Sequence, residues 1–184
     1  MDTISDNELM ADVQRGDLEK LAVLYGKYNR PLFAFFYKMT SDAQASEDLV
    51  QNVFCKILKY RDRFRTDDGA FVVWLFQIAR NARIDHYHKN KHLQNASEID
   101  DLAVPGPDDP AGDYEKAEKA GRMRAALDRL TDVQREVLIL SRFDDLTYEE
   151  IAKIMNCRVG TIKARVFRAM ETLRLSFRDQ ENAP

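Results

Sequence analysis

The sequence predicts an all-α fold: two small helical domains joined by a flexible acidic linker, the C-terminal one containing a helix-turn-helix. Three observations carry this. Apolar residues recur at spacings of three and four along both halves, no run alternates with the period of two that a half-buried strand needs, and one intervening stretch loses periodicity altogether. From Gln94 to Glu118 eight Asp or Glu stand against Lys116 alone, with Pro105, Pro107, Pro110 and two glycines. Such a composition repels itself and cannot bury a core. The implied division is 5–93, a linker at 94–116, and 117–180.

Residues 5–40 carry Leu9, Val13, Leu18, Leu21, Leu24, Tyr25, Tyr28, Leu32, Phe35, Phe36 and Met39 at mostly helical spacing. Pro31 removes a donor in mid-run, so a kink or two abutting helices is expected there. Ser41 with Gln44 has the spacing of a capping box and opens a helix from about Asp42 to Tyr60. Its columns Leu49/Val53/Ile57 and Val50/Phe54/Leu58 are apolar and face a core. Opposite lie Asp48, Gln51, Asn52, Lys56 and Lys59, a polar face that is either plain solvent surface or a docking site.

Arg61 to Gly69 is charged and aperiodic around Phe64, a loop ended by the glycine. The next helix, Phe71 to His92, combines a column of Phe71, Leu75, Ile78 and Ala82 with Trp74, Phe76, Tyr87, Arg80, Arg83, Lys89 and Lys91. Aromatics interleaved with cations suit single-stranded nucleic acid, whose bases stack on rings while its backbone follows positive charge. In a helical bundle the same rings serve as core, and pattern alone favours that role. His86, His88 and His92 fall on this helix, but without Cys ligands or an H-E-x-x-H motif no metal site is expected.

In the C-terminal part Met123, Leu127 and Leu130 mark one helix, and Val133, Val137, Leu138 and Leu140 a second. Then comes the most specific local pattern. Thr147 and Glu150 form a T-x-x-E capping box, and Ile151, Ala152 and Met155 give a short helix one apolar side. Asn156-Cys157 makes a corner, because Asn tolerates the left-handed conformation that ends a helix. A longer helix from Val159 places Val159, Ile162, Val166, Met170 and Leu173 on one stripe. Between Arg158 and Arg178 six Lys or Arg face Glu171 alone, in a chain of net charge −3. Lys163 and Phe167 share one outward column and Ala164 and Arg168 the next, the arrangement a major-groove recognition helix needs. A solvated, salt-bridged helix would show the same charge; the capped first helix and short corner favour DNA.

The whole chain limits the alternatives. Its 184 residues are 45% hydrophobic and 32% charged, and the longest apolar run is Ala70 to Phe76, too short to span a bilayer. The N-terminus, MDTISDNELM, is acidic where a secretory signal is basic and then apolar, so a cytoplasmic protein is expected. Cys55 and Cys157 make neither a disulfide scaffold nor a C-x-x-C metal motif. No Gly-rich phosphate loop or activated nucleophile motif is present, so neither an enzyme, a cofactor nor a small-molecule substrate is expected.

In this order the pieces resemble the extracytoplasmic-function group of the sigma-70 family of bacterial sigma factors, from about Leu18 to Leu175. DLVQNVFCKIL at 48–58 is similar to the helix that binds the polymerase clamp, AFVVWLFQIARNARIDHYHKNK at 70–91 to the minus-ten helix, and LTYEEIAKIMNCRVGTIKARVFRAM at 146–170 to the minus-35 helix-turn-helix. The resemblance implies that Lys163, Ala164, Phe167 and Arg168 face minus-35 bases, with Arg158, Thr161 and Arg165 on phosphates. It implies that Phe64, Arg65, Arg80, Asn81 and Arg83 serve the unstacked minus-ten strand, and that Asp48, Gln51, Asn52 and Lys56 dock on core RNA polymerase. Met170 departs from the family by replacing a basic residue. The implied partners are core RNA polymerase, promoter DNA and an anti-sigma factor. The rival is a dimeric helix-turn-helix operator-binding regulator, which would leave the aromatic-basic helix and the Asp48/Gln51/Asn52 face without a purpose.

Overall fold

The computed structural model describes residues 4–94, 114–143 and 146–181, and within these the chain forms eight α-helices and no strand. It divides into two compact units between Val104 and Pro105. The linker expected at 94–116 falls almost wholly outside the described residues.

The first unit contains α1 (Asp6–Gln14), α2 (Leu18–Thr40), α3 (Ala43–Lys59) and α4 (Phe71–Gln94), with two short 3-10 turns, Arg61–Arg63 and Thr66–Asp68, between the last two. Helix α2 packs on α1 and α3, α3 packs on α4, and α1 also reaches α4 and the first 3-10 turn. Leu24, Leu32, Phe35, Phe36, Val53, Ile57, Phe71 and Leu75 have no exposed surface and form the core.

Two boundaries differ from expectation. The chain does not divide at Pro31: α2 runs through it as one helix. The missing donor costs about 3 kcal/mol in an exposed helix, but Tyr28, Leu32, Phe35 and Phe36 are all buried on either side, and burying each such side chain returns about 1.5–3 kcal/mol. The division lies instead at Gly16, whose φ of 102° only glycine adopts without strain. Asp17 then caps α2 by accepting the Glu19 N–H at 3.1 Å.

The second difference is the cap of α3. Ser41 ends α2 in the left-handed region with φ 57°, and Asp42 is the capping residue, accepting the Ala45 N–H at 3.0 Å. With the register moved by one, Gln44 turns away and donates to Asp48 at 3.2 Å. Both residues have capping chemistry, so only the backbone conformation of Ser41 separates them.

The second unit contains α5 (Tyr114–Asp128), α6 (Asp132–Leu140), α7 (Tyr148–Ile154) and α8 (Val159–Glu181), and α8 packs against the other three. Thr131 and Gln134 cap α6 reciprocally. Ala126, Leu130, Leu138, Ala169 and Leu173 form one buried cluster. Val137, Leu140, Ile151 and Ile162 are also fully buried. One position of the expected α8 stripe is corrected, and two apolar residues that mark α5 and α6 turn outward. Met170 is 40% exposed, and Met123 and Val133 are also exposed. The stripe of α8 drifts to Ala169, because successive steps of four then three residues follow the 3.6-residue turn better than two steps of four. The small side chains of Ala126 and Ala169 let backbones approach closely, a role that a search for large apolar residues misses.

Candidate nucleic-acid interface

The helix-turn-helix of the second unit is built by local chemistry. Thr147 donates its N–H to the Glu150 carboxylate at 2.8 Å while its hydroxyl accepts the Glu150 N–H at 3.3 Å, closing the capping box. Asn156 adopts φ 49°, and the Cys157 N–H donates to the Ala152 carbonyl at 3.0 Å, which turns the chain sharply after α7. The left-handed Asn makes a direct prediction. Asn156→Ala lowers stability by about 1 kcal/mol, whereas Asn156→Gly leaves it unchanged or raises it, as read by chemical denaturation.

Beyond the corner, α8 presents Lys163, Ala164, Phe167 and Arg168 to solvent, and Arg158 stands exposed just before it. Phe167 is 64% exposed, so its ring is not a core residue of this unit. Thr161 and Arg165 are half-buried. The Arg165 guanidinium leans back toward the corner and donates to Cys157 Sγ at 3.7 Å. One turn beyond Phe167, the exposed Met170 carries the Arg142 guanidinium against its sulfur at 3.7 Å.

The first unit offers a second aromatic and basic surface. Arg65 and Asn81 are exposed, Arg80 and Arg83 half-buried. Phe64 departs from expectation: it is only 5% exposed, with its ring against Trp74 at 5.4 Å and Phe71 at 5.9 Å between centroids. In this conformation its ring is packed at the base of the loop. Sequence reading passed over Tyr60 at the loop entrance, whose ring lies under Lys59 Nζ at 5.3 Å and the Arg63 guanidinium at 4.8 Å. The signal was present in the KYRDRFR run, where aromatics again alternate with cations.

On α3, Asp48, Gln51 and Asn52 are exposed together, one turn apart along the polar face. Lys56 is half-buried and engaged internally, its Nζ 3.0 Å from the Asp85 carboxylate of α4. Beside this face a groove of about 460 Å³ opens between α2 and α3, lined by Tyr25, Asn29, Phe33, Val50 and Gln51 among others. His86 Nε2 lies 3.2 Å from the Asn90 amide, and the His92 side chain is outside the described ones. Among the described residues, no group of three or more His, Cys, Asp or Glu is placed to hold a metal, and no helix is long and apolar enough to cross a membrane.

Comparison with known proteins now decides the family. The Sigma-70 region 2 family matches residues 24–93 and the Sigma-70 region 4 family matches residues 120–173. The RNA polymerase sigma-H factor of Pseudomonas aeruginosa is 31% identical over 177 residues, spanning 91% of both chains. The ECF RNA polymerase sigma-E factor of Escherichia coli is 27% identical over 179 residues, 92% of this chain and 93% of that one. The chain belongs to the extracytoplasmic-function group of sigma-70 factors. Among solved structures, the sigma factor RpoE of Bartonella quintana, bound to the anti-sigma factor NepR, is similar to this sigma factor with a TM-score of 0.68 and 28% identity, over 85% of this chain and 96% of that one. CnrH, solved with the cytosolic domain of CnrY, shares the fold with a TM-score of 0.72 at 20% identity over 97% of this chain and 99% of that one. In this sigma factor the region 2 match takes in most of α2, all of α3, the 61–69 loop and nearly all of α4, while α1 precedes it. The region 4 match includes the capped corner and α8 as far as Leu173.

Proposed function

We propose that this sigma factor binds core RNA polymerase through the α3 face of Asp48, Gln51 and Asn52, directs it to promoters, and helps open them. The second unit reads minus-35 duplex through Lys163, Ala164, Phe167 and Arg168, while Arg158, Thr161 and Arg165 hold phosphates. The first unit engages the unpaired minus-ten strand through Arg65, Arg80, Asn81 and Arg83. Phe64 supports that loop from beneath, and Lys56 orients α3 against α4 through Asp85. The observation that carries the reading is the exposed Lys163, Phe167 and Arg168 face beyond a capped corner, in a chain matching both sigma regions. A dimeric operator-binding regulator would need that corner but not the region 2 match. The protein acts in the cytoplasm as an initiation factor and carries out no catalysis of its own, with no cofactor and no small-molecule substrate. An anti-sigma factor restrains it, a reading supported by the Bartonella quintana relative, which was solved with one.

Reconstitution tests this directly. Added to core polymerase, the chain should enrich specific fragments from a genomic or randomised DNA library and support run-off transcription from them. Binding of duplex by the chain alone, with no effect of core, would favour the regulator. For the α3 face, replacing Asp48, Gln51 and Asn52 together by Ala should weaken competition for core about tenfold, in line with a few central residues dominating an interface. The melting temperature should barely move, because exposed substitutions cost little. A triple variant that competes normally would remove this docking face.

A further inference from the structure

Helix α1 precedes the region 2 match, yet two of its side chains reach into the loop that joins α3 to α4. Asn7 and Gln14 are seven residues apart, two turns of helix, and so share a face with Met10, which is fully buried. At the loop's entrance Gln14 Nε2 donates to the carbonyls of both Arg61 and Phe64, each at 2.8 Å. At its exit Asn7 Oδ1 accepts the Phe71 N–H at 2.7 Å, the first residue of α4, and Asn7 Nδ2 reaches the Gly69 carbonyl at 3.5 Å. One primary amide has two N–H donors, which is what two converging carbonyls of an irregular turn require. The other supplies an acceptor to a helix N-terminus and a donor to the carbonyl of the glycine shortly before it, which holds a positive φ of 134°. Helix α1 is itself tied down: Asp6 pairs with Lys27 at 2.6 Å and accepts from the Tyr28 hydroxyl, and Ser5 and Glu8 cap one another. Donation from the Ser5 N–H, then from its hydroxyl, holds the Glu8 carboxyl below its ordinary pKa.

We infer that α1 is a brace for the minus-ten loop, with Gln14 and Asn7 as positioning residues that hold the backbone from Arg61 to Phe71 in the geometry that presents Arg65 to the unpaired strand. This rests on the proposed function above and extends it to a helix outside the matched region. The bland alternative is that Gln14 merely satisfies two carbonyls and contributes to stability like any other hydrogen bond. The two differ in what their loss does at a temperature where the chain is fully folded.

The chain has a single tryptophan, Trp74, whose ring packs on Phe64, so its fluorescence reports the seat of the loop without any DNA. Gln14→Leu keeps the bulk of the side chain and removes both donors. In the full-length protein, held well below its melting temperature, this variant should show raised acrylamide quenching of Trp74. In holoenzyme, on a fragment that the unaltered holoenzyme enriches from a randomised library, it should slow opening about tenfold, as expected for two lost hydrogen bonds. Opening is read by 2-aminopurine fluorescence in the minus-ten strand. Competition for core and affinity for the minus-35 duplex should stay unchanged. Asn7→Asp keeps the acceptor for Phe71 and should remain close to the unaltered chain, whereas Asn7→Leu should behave like Gln14→Leu. Unchanged Trp74 quenching, or unchanged opening by a variant whose quenching has risen, overturns the brace. So does an opening defect that vanishes on cooling in step with the folded fraction. If the unaltered holoenzyme enriches and opens no fragment, the proposed function fails and the brace's role in opening fails with it, whatever Trp74 reports.

Discussion

Replacing Arg168 by Ala should relax sequence preference at one minus-35 position while leaving the others intact. Arg168 is exposed on the same face of α8 as Lys163 and Phe167, and a planar guanidinium can pair with both acceptors on a guanine edge. Such a pair supplies roughly 1–3 kcal/mol of discrimination, or about five- to 150-fold between the right and wrong base. Arg158 precedes the helix and should act through charge alone. Arg158→Ala should therefore weaken every sequence alike and lower the slope of log affinity against log salt by about one unit. Holoenzyme affinities for a panel of single-base minus-35 variants, each at several salt concentrations, separate the two. A uniform loss across the panel for Arg168→Ala would refute base reading by that residue. The Arg165 lean toward Cys157 predicts a smaller salt effect for Arg165→Ala than for Arg158→Ala, since part of its charge is already turned to the corner.

The second large effect is structural, and it contrasts two phenylalanines. Phe71 is fully buried and its ring meets Tyr28 at 5.7 Å and Phe64 at 5.9 Å. Phe71→Ala should cost about 3–5 kcal/mol through lost transfer energy and the cavity left between α1, α2 and the loop. Phe167→Ala should change stability by about 0.5 kcal/mol or less, because its ring is already in water, yet it should reduce minus-35 binding. Denaturant unfolding of the full chain gives both numbers. Two transitions are expected, one for each compact unit, with Phe71→Ala moving the first unit's transition alone. A comparable loss for Phe167→Ala would mean that the ring belongs to the core after all.

What the sequence made legible was local. Thr147 and Glu150 lie three residues apart at the start of α7 and Asn156 just past its end, so the corner could be read from neighbours. The outward positions of Lys163, Phe167 and Arg168 followed from helical periodicity over two turns. What escaped depended on distance along the chain or on size. Gln14 finds its carbonyls 47 and 50 residues away, and Lys56 finds Asp85 29 residues away, separations that no spacing rule reaches. Phe64 was assigned to the unpaired strand by resemblance alone, and its packing on Phe71 and Trp74 of α4 could not be read from spacing. Ala126 and Ala169 escaped because their value in a core lies in being small. Gly16 was legible in principle; Pro31 drew attention instead, and burial on both sides of it carried the helix through.

The sorting of charge from Arg158 to Arg178 has a kinetic consequence. Between Arg158 and Arg178 positive charges exceed negative by five in a chain of net −3, so the remaining residues carry an excess of eight negative charges. A segment so charged should draw a polyanion more strongly than the small net charge of the chain suggests. On the proposed reading, the stretch from Arg158 to Arg178 should be attracted to a duplex before contact is made, while acidic residues elsewhere are repelled by it. Encounters led by acidic residues should then be shorter-lived than those led by this stretch.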